Sequence, residues 1–207
     1  MPGGELVLAR RGEEYSIRVS GVELMNSRDH SSEDELGRET MARLKAKAAP
    51  HVMIGGLGFG FTLRAALDAA PPTAKLDVVE IVPALVKWNR GVIGALAGEP
   101  LSDPRVTVIE DDVAAVIKTA KNYDAIVLDV DNGPDGIYEG NSGLYKRRGL
   151  EAAKRALAPG GVLAVWSAFP SKTFTRWLND VGFRTECVTL KSKFKGGPTH
   201  YVWFAAL

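Results

Sequence analysis

Apolar residues along the chain come in short blocks, and the spacing of the blocks changes once, near residue 50. Before that point the blocks are strand-like and close together. Residues 5–9 and 15–19 read as two strands joined by Arg11-Gly12-Glu13-Glu14 as a hairpin turn, and residues 22–25 as a third short strand. A polar stretch, 26–34, leads into a helical pattern over 33–47. Ser31 or Ser32 is its expected cap, and Glu33, Asp34 and Glu35 fall in the favourable first turn. Pro50 closes the region. From His51 onward, apolar runs at 52–54, 76–79, 106–109, 125–128 and 162–166 alternate with helical patterns at 61–70, 83–90, 113–119, 142–158 and 171–181. That order predicts an α/β domain with an open, mostly parallel sheet and helices on both faces. Two last runs, 184–190 and 201–205, are joined by a basic, glycine-containing link, which predicts an antiparallel hairpin at the sheet edge. The expected division is a small N-terminal β-hairpin region, 1–32, and an α/β domain, 33–207.

Composition narrows the function classes. A chain of 207 residues, 45% apolar and 25% charged, is long enough for one α/β domain with a core and a small appendage. A formal net charge of +1 gives no reason to expect a nucleic-acid or anionic-membrane partner. Cys187 is the only cysteine, so neither an internal disulfide nor a cysteine-based metal cluster is expected, and no metal site is predicted. There is no 18-residue apolar run and no signal-peptide pattern at the start, so a cytoplasmic location is the expectation.

In an open α/β sheet, ligands bind beyond the carboxyl ends of the strands. Here that edge collects a distinctive set. The first strand of the domain ends in Gly55, Gly56, Gly58 and Gly60, four glycines within six residues, just before a helix. Such a turn lets a ligand approach the backbone and the unpaired N–H groups of a helix start. The second ends in Glu80, 20 residues beyond Gly60, a separation suited to an acid that accepts both ribose hydroxyls. The third ends in Glu110, Asp111 and Asp112, and the fourth in Asp129 and Asp131. This acidic rim disfavours a pyrophosphate and favours a nucleoside that is uncharged or cationic. No G-x-x-x-x-G-K-[ST] loop is present, which removes the nucleotide-hydrolase reading. The closing helix, strand and reversed strand match a class I methyltransferase-like, Rossmann-like fold better than a dinucleotide-binding one.

The chain resembles the spermidine synthase-like (polyamine aminopropyltransferase) family across nearly its whole length. Residues 20–29, S-G-V-E-L-M-N-S-R-D, resemble the family's D-G-V-x-Q-x-T-x-R-D segment, and 54–64, I-G-G-L-G-F-G-F-T-L-R, resemble its I-G-G-G-D-G-G-x-L-R-E loop. V-E-I-V-P at 79–83, D-P-R-V at 103–106, Y-D-A-I-V-L-D at 123–129 and L-A-P-G-G-V-L at 157–163 are similar to further family motifs. The resemblance implies a site for S-adenosylmethionine or its decarboxylated form as co-substrate. It implies that Glu80 holds the ribose, that Asp111, with Asp112 beside it, faces the adenine amine, and that Asp129 is the acid nearest the transferred group.

The departures fall in the other half of the template. The loop acid that anchors an aminopropyl amine in the family is Gly58 here, the family's glutamine is Leu24, and its tyrosine-containing acceptor segment becomes Glu33-Asp34. The family's D-[ST]-x-D-P-x-G-P loop is shortened over residues 129–134. Without the loop acid, the carboxylate of intact S-adenosylmethionine meets less repulsion. The expectation is therefore methyl transfer to a small amine or cationic acceptor, with Asp129 and Asp131 catalytic and Glu33 and Asp34 binding the acceptor. Aminopropyl transfer and a non-catalytic nucleoside-binding protein are the alternatives, and the resemblance makes a homodimer plausible. Trp88 and Trp166 read as packing residues near the site, Tyr138 and Tyr145 as candidates for a lid, and Cys187 as inert in an apolar strand. His200 has no partner legible in the sequence.

Overall fold

A computed structural model describes residues 5–130, 133, 134, 142–194 and 196–207. Asp131 and Tyr138 from the sequence reading lie outside the described residues. The N-terminal blocks form an antiparallel sheet of β1 (Leu6–Arg11), β2 (Glu14–Val19) and β3 (Val22–Asn26). The helix α1 (Ser31–Arg43) follows. The main sheet is built from β4 (His51–Gly55), β5 (Lys75–Val79), β6 (Val106–Ile109), β7 (Tyr123–Leu128), β8 (Leu157–Ser167), β9 (Arg184–Lys191) and β10 (Thr199–Ala206). Its order is β6-β5-β4-β7-β8-β10-β9, with β10 antiparallel to both neighbours and the remaining pairs parallel. The connecting helices are α2 (Phe61–Ala69), α3 (Pro83–Asn89), α4 (Val113–Thr119), α5 (Ser142–Tyr145), α6 (Arg147–Ala156) and α7 (Lys172–Val181).

Central parallel strands buried on both faces read as continuous apolar runs, and β4 and β7 do so. The sheet therefore has two cores. Met53, Ile126 and Leu163 face one core with Leu150, Phe174 and Trp203. Val52, Ile54 and Val127 face the other with Leu36 of α1 and Leu63 of α2. A third cluster ties the N-terminal sheet to the glycine loop: Ile17 and Met25 pack with Phe59, Phe61 and Leu85.

Two boundaries differ from the sequence reading. The helix expected over 142–158 is broken at Lys146 into α5 and α6, and β8 begins at Leu157, whose backbone aligns with Tyr123. The Pro159-Gly160-Gly161 turn is drawn into the strand, with Gly160 at φ 73°. Helix α1 starts at Ser31, and neither Ser31 nor Ser32 caps it. His30 occupies the cap position without a capping bond, and Asp29 Oδ1 instead accepts from the Ser31 N–H (3.2 Å).

Candidate functional site

Strand register builds the site. Gly55, the last residue of β4, aligns with Val79 of β5 and Leu128 of β7. The next residues, Gly56, Glu80 and Asp129, thus leave the sheet side by side. Gly56 N–H donates to Val79 O and Asp129 N–H to Gly55 O, both at 2.9 Å. At Gly56 the backbone has φ 91°, and a Cβ would lie 2.2 Å from Asp129 O, so only glycine lets the two chains meet. Gly60, in the left-handed region, starts α2.

Glu80 is buried. Its Oε2 accepts from Leu57 N–H (2.9 Å) and its Oε1 from Val82 N–H (2.8 Å). The acid predicted to read a ribose thus also holds the glycine loop against the next strand end. Asn89, buried on α3, grips the same loop from the far side: its Nδ2 donates to Gly58 O at 2.8 Å. Nothing in the one-dimensional pattern marked Asn89.

Asp129 is half-buried under α2, where Thr62 Oγ1 donates to its Oδ2 at 2.6 Å. Gly37 brings a second acid to the same place. A Cβ on Gly37 would lie 2.5 Å from Thr62 O, so α1 rests directly on the α2 backbone. Glu33, one turn earlier on the same face, is thereby carried to Asp129. Burial, then the Asp129 carboxylate, pushes Glu33 up to about 7, against a 2.5 Å hydrogen bond from Ser32 Oγ. Burial likewise raises Asp129, and the Thr62 hydroxyl only partly offsets this. Two neighbouring carboxyl groups in a partly desolvated site resist joint ionisation and favour a cation beside them.

This pair sets the sign of a pH effect. Both folded-state values lie above the ordinary 4.5 of Glu33 and 3.8 of Asp129. The ligand-free fold therefore binds more protons than the unfolded chain in the window up to about 7 for Glu33. Stability from the pair is full below the unfolded values and is lost as pH rises through the folded ones. Glu33→Gln should flatten the fall, with its largest gain in melting temperature above pH 7. The variant comparison is needed because burial lowers His200, which pulls stability the other way over the same range. A melting profile identical in wild type and Glu33→Gln across that range would dismiss the pairing.

The remaining acids divide. Asp34 does not join Glu33; its Oδ2 is 2.9 Å from His30 Nδ1 and 3.8 Å from Lys193 Nζ. The His30 ring stacks on Phe61 at 4.0 Å. Asp112 caps α4, accepting from Ala114 N–H at 2.8 Å, while Asp111 stands exposed at the end of β6 on the Glu80 side of the edge. Tyr145 is buried and donates to Val130 O at 3.0 Å, so it pins the chain after Asp129 from below. His200 gains the partners the sequence hid. Its ring lies against Trp166 (4.9 Å), near Asp29, and Asp29 also accepts from Ser192 Oγ on the β9–β10 link. Burial works to raise Asp29, but the bonds from Ser192 and Ser31 hold it below the ordinary range. Cys187 is exposed on the edge strand β9, not enclosed in an apolar one.

The family model for the spermine/spermidine synthase domain matches residues 39–203. Putrescine N-methyltransferase 3 of Nicotiana tabacum is 35% identical over 154 residues, covering 73% of this chain and 37% of that protein. A polyamine aminopropyltransferase of Mycobacterium tuberculosis is 29% identical over 175 residues, covering 83% of this chain and 32% of that protein. The spermidine synthase of Thermotoga maritima shares the fold with a TM-score of 0.75 at 16% identity, covering 97% of this chain and 72% of that one. The chain thus spans about a third of the length of these two curated relatives.

Proposed function

The chain belongs to the spermine/spermidine synthase family, and from that premise we propose that it transfers a methyl group from S-adenosylmethionine to a small amine. The residues present fit such a donor. The Gly55–Gly60 turn carries no side chain at Gly56 and Gly58, which are half-buried, so a ligand can approach the backbone there; Glu80 lies at the strand end suited to a ribose, and Asp111 lies at the neighbouring strand end for the adenine amine. The Glu33–Asp129 pair offers negative charge to a sulfonium or an ammonium. When bound, the sulfonium supplies an electrophilic methyl carbon and a neutral thioether leaving group. The protein's share is positioning and proton handling. Asp129 is placed to attract the acceptor's ammonium form and take the proton that the nitrogen must lose. Thr62 fixes where that carboxylate points, and burial with the Thr62 hydroxyl sets how readily it accepts.

The observation that carries methyl over aminopropyl transfer is Gly58. It sits at the loop position where the family resemblance places an amine-anchoring acid. Its backbone is left-handed at φ 51°, and Met25 Sδ is the nearest atom to a would-be Cβ, at 3.2 Å. The 35% identity to a putrescine N-methyltransferase supports the same choice. Aminopropyl transfer from the decarboxylated donor is the second reading, favoured by the 29% identical aminopropyltransferase and by the Glu33 carboxyl, which offers an amine an alternative anchor.

Gly58→Asp separates the two. Aspartate tolerates the left-handed region better than most residues, and the neighbouring thioether end of Met25 can shift by the few tenths of an ångström required. Wild type should bind S-adenosylmethionine at least as tightly as the decarboxylated donor, and the variant should reverse the order. At an effective dielectric near 20 and about 4 Å, one charge contact is on the order of 4 kcal/mol before desolvation, and a quarter of that is still several-fold in affinity. Strong wild-type preference for the decarboxylated donor, with aminopropyl product from putrescine, would overturn methyl transfer.

A further inference from the structure

The outer face of the N-terminal sheet carries charge that the strand-end site does not use. Side chains alternate across a strand. Leu8, Ile17 and Met25 turn inward to Phe59 and Phe61. Ala9 and Ser16, the next pair in register, therefore turn outward and, being small, leave a depression between β1 and β2. A cavity of about 230 Å³ borders it, and its lining includes the outward-turned Arg11 and Arg18 and, after β3, Arg28, against two carboxylates, Glu14 and Glu23; Arg10 also borders it but by the same alternation shares the face of Leu8 and Tyr15.

The arginines are poorly neutralised. The Arg18–Glu23 contact is 3.5 Å and the Arg28–Glu14 contact 3.8 Å, well beyond the 2.7–2.9 Å of a charge-assisted hydrogen bond. Arg11 is aligned with Glu14 across the hairpin, yet among the described residues the carboxylate's one ion pair is with Arg28. Arg10 commits only its Nε, to Gly12 O at 2.7 Å, and lays its guanidinium over the Tyr15 ring. Ordinary cross-strand pairs would close up to hydrogen-bonding distance; these stand open around a floor of small residues.

We propose that this depression binds a small, multiply charged phosphate group. Guanidinium forks approaching from two strands and from the segment after β3 suit a tetrahedral oxyanion, whose oxygens accept in several directions, better than a planar carboxylate. The small size of the depression and the chain's formal net charge of +1 argue against an extended polyanion.

The test is calorimetry at low ionic strength with inorganic pyrophosphate, a nucleoside diphosphate and citrate. The proteins are wild type, Arg11→Gln/Arg18→Gln, and a control, Arg147→Gln/Arg148→Gln, which alters an exposed basic pair elsewhere. One site per chain is expected for pyrophosphate or the diphosphate, weakened at least about tenfold by the first variant and unchanged by the control. Pyrophosphate binding alone identifies a free anion, and much tighter diphosphate binding a phosphate ester. Methylthioadenosine should bind both variants as it binds wild type, which shows that they are folded and that the strand-end site is separate. No saturable binding, equal weakening by the control, displacement of the diphosphate by methylthioadenosine, or a preference for citrate would overturn the proposal.

Discussion

Asp129→Asn should lower turnover of an amine acceptor by about 10²–10⁴, the usual contribution of a positioned proton acceptor, while donor binding changes far less. The asymmetry follows from the contacts. The side-chain oxygen of asparagine can still accept from Thr62 Oγ1, so the α2–β7 junction survives, but the amide cannot take a proton. Without the neighbouring charge, Glu33 titrates lower, though burial still holds it above the ordinary value. The pH profile should therefore move to lower pH as the rate falls. Steady-state methylation of putrescine, alongside donor titration, checks both parts. Activity within a few-fold of wild type would show that solvent takes the proton and that neither the charge nor the basicity of Asp129 is needed. Thr62→Val offers a graded companion. It removes the one hydrogen bond that favours the ionised carboxylate, so the rate should become dependent on higher pH without the collapse expected of Asp129→Asn.

Half of this site was legible in the linear sequence, and the division has a physical cause. In a parallel sheet every strand ends on the same edge, so Glu80, Asp111 and Asp129 could be placed together from the order of apolar runs alone. Their register, with Val79, Gly55 and Leu128 aligned, needs only that the strands pair. Glu33 was singled out for its charge and its helix start, but its meeting with Asp129 depends on Gly37, which looks like a weak spot in a helical pattern and is in fact the contact point between two helices. Thr62 and Asn89 gave no signal because a hydroxyl or an amide in a helix is commonplace; only the packing of α2 and α3 on the strand ends turns them toward a carboxylate and a carbonyl. The same holds for Asp29, which lies more than 160 residues from Ser192 and His200 and is joined to them by the edge hairpin folding back over α1. The break at Lys146 coincides with a gap in the apolar spacing, the Lys146-Arg147-Arg148-Gly149 run between Tyr145 and Leu150, which a single helix over 142–158 passed over.

Glu80→Ala should be the most damaging single change at the donor side, and it should act in two separable ways. The Leu57 and Val82 N–H groups lose a charged acceptor, a loss on the order of 3 kcal/mol when a buried donor is left without a partner. In a domain of this size that corresponds to a fall in melting temperature of roughly 6–12 °C. Loosening of the glycine loop and loss of the ribose contact should together weaken adenosyl ligands by more than about tenfold. Affinity alone cannot tell the two causes apart, because a slack loop also binds poorly. A cycle with ligand and protein both altered does. If Glu80 accepts from the ribose, methylthioadenosine lacking its 2′- and 3′-hydroxyls should bind wild type at least several-fold more weakly than the intact ligand, and the two ligands should bind Glu80→Ala alike. If Glu80 only braces the loop through Leu57, the penalty for removing the hydroxyls should be the same in both proteins. That second result would leave Glu80 as a structural clasp and require the ribose to be held by another group.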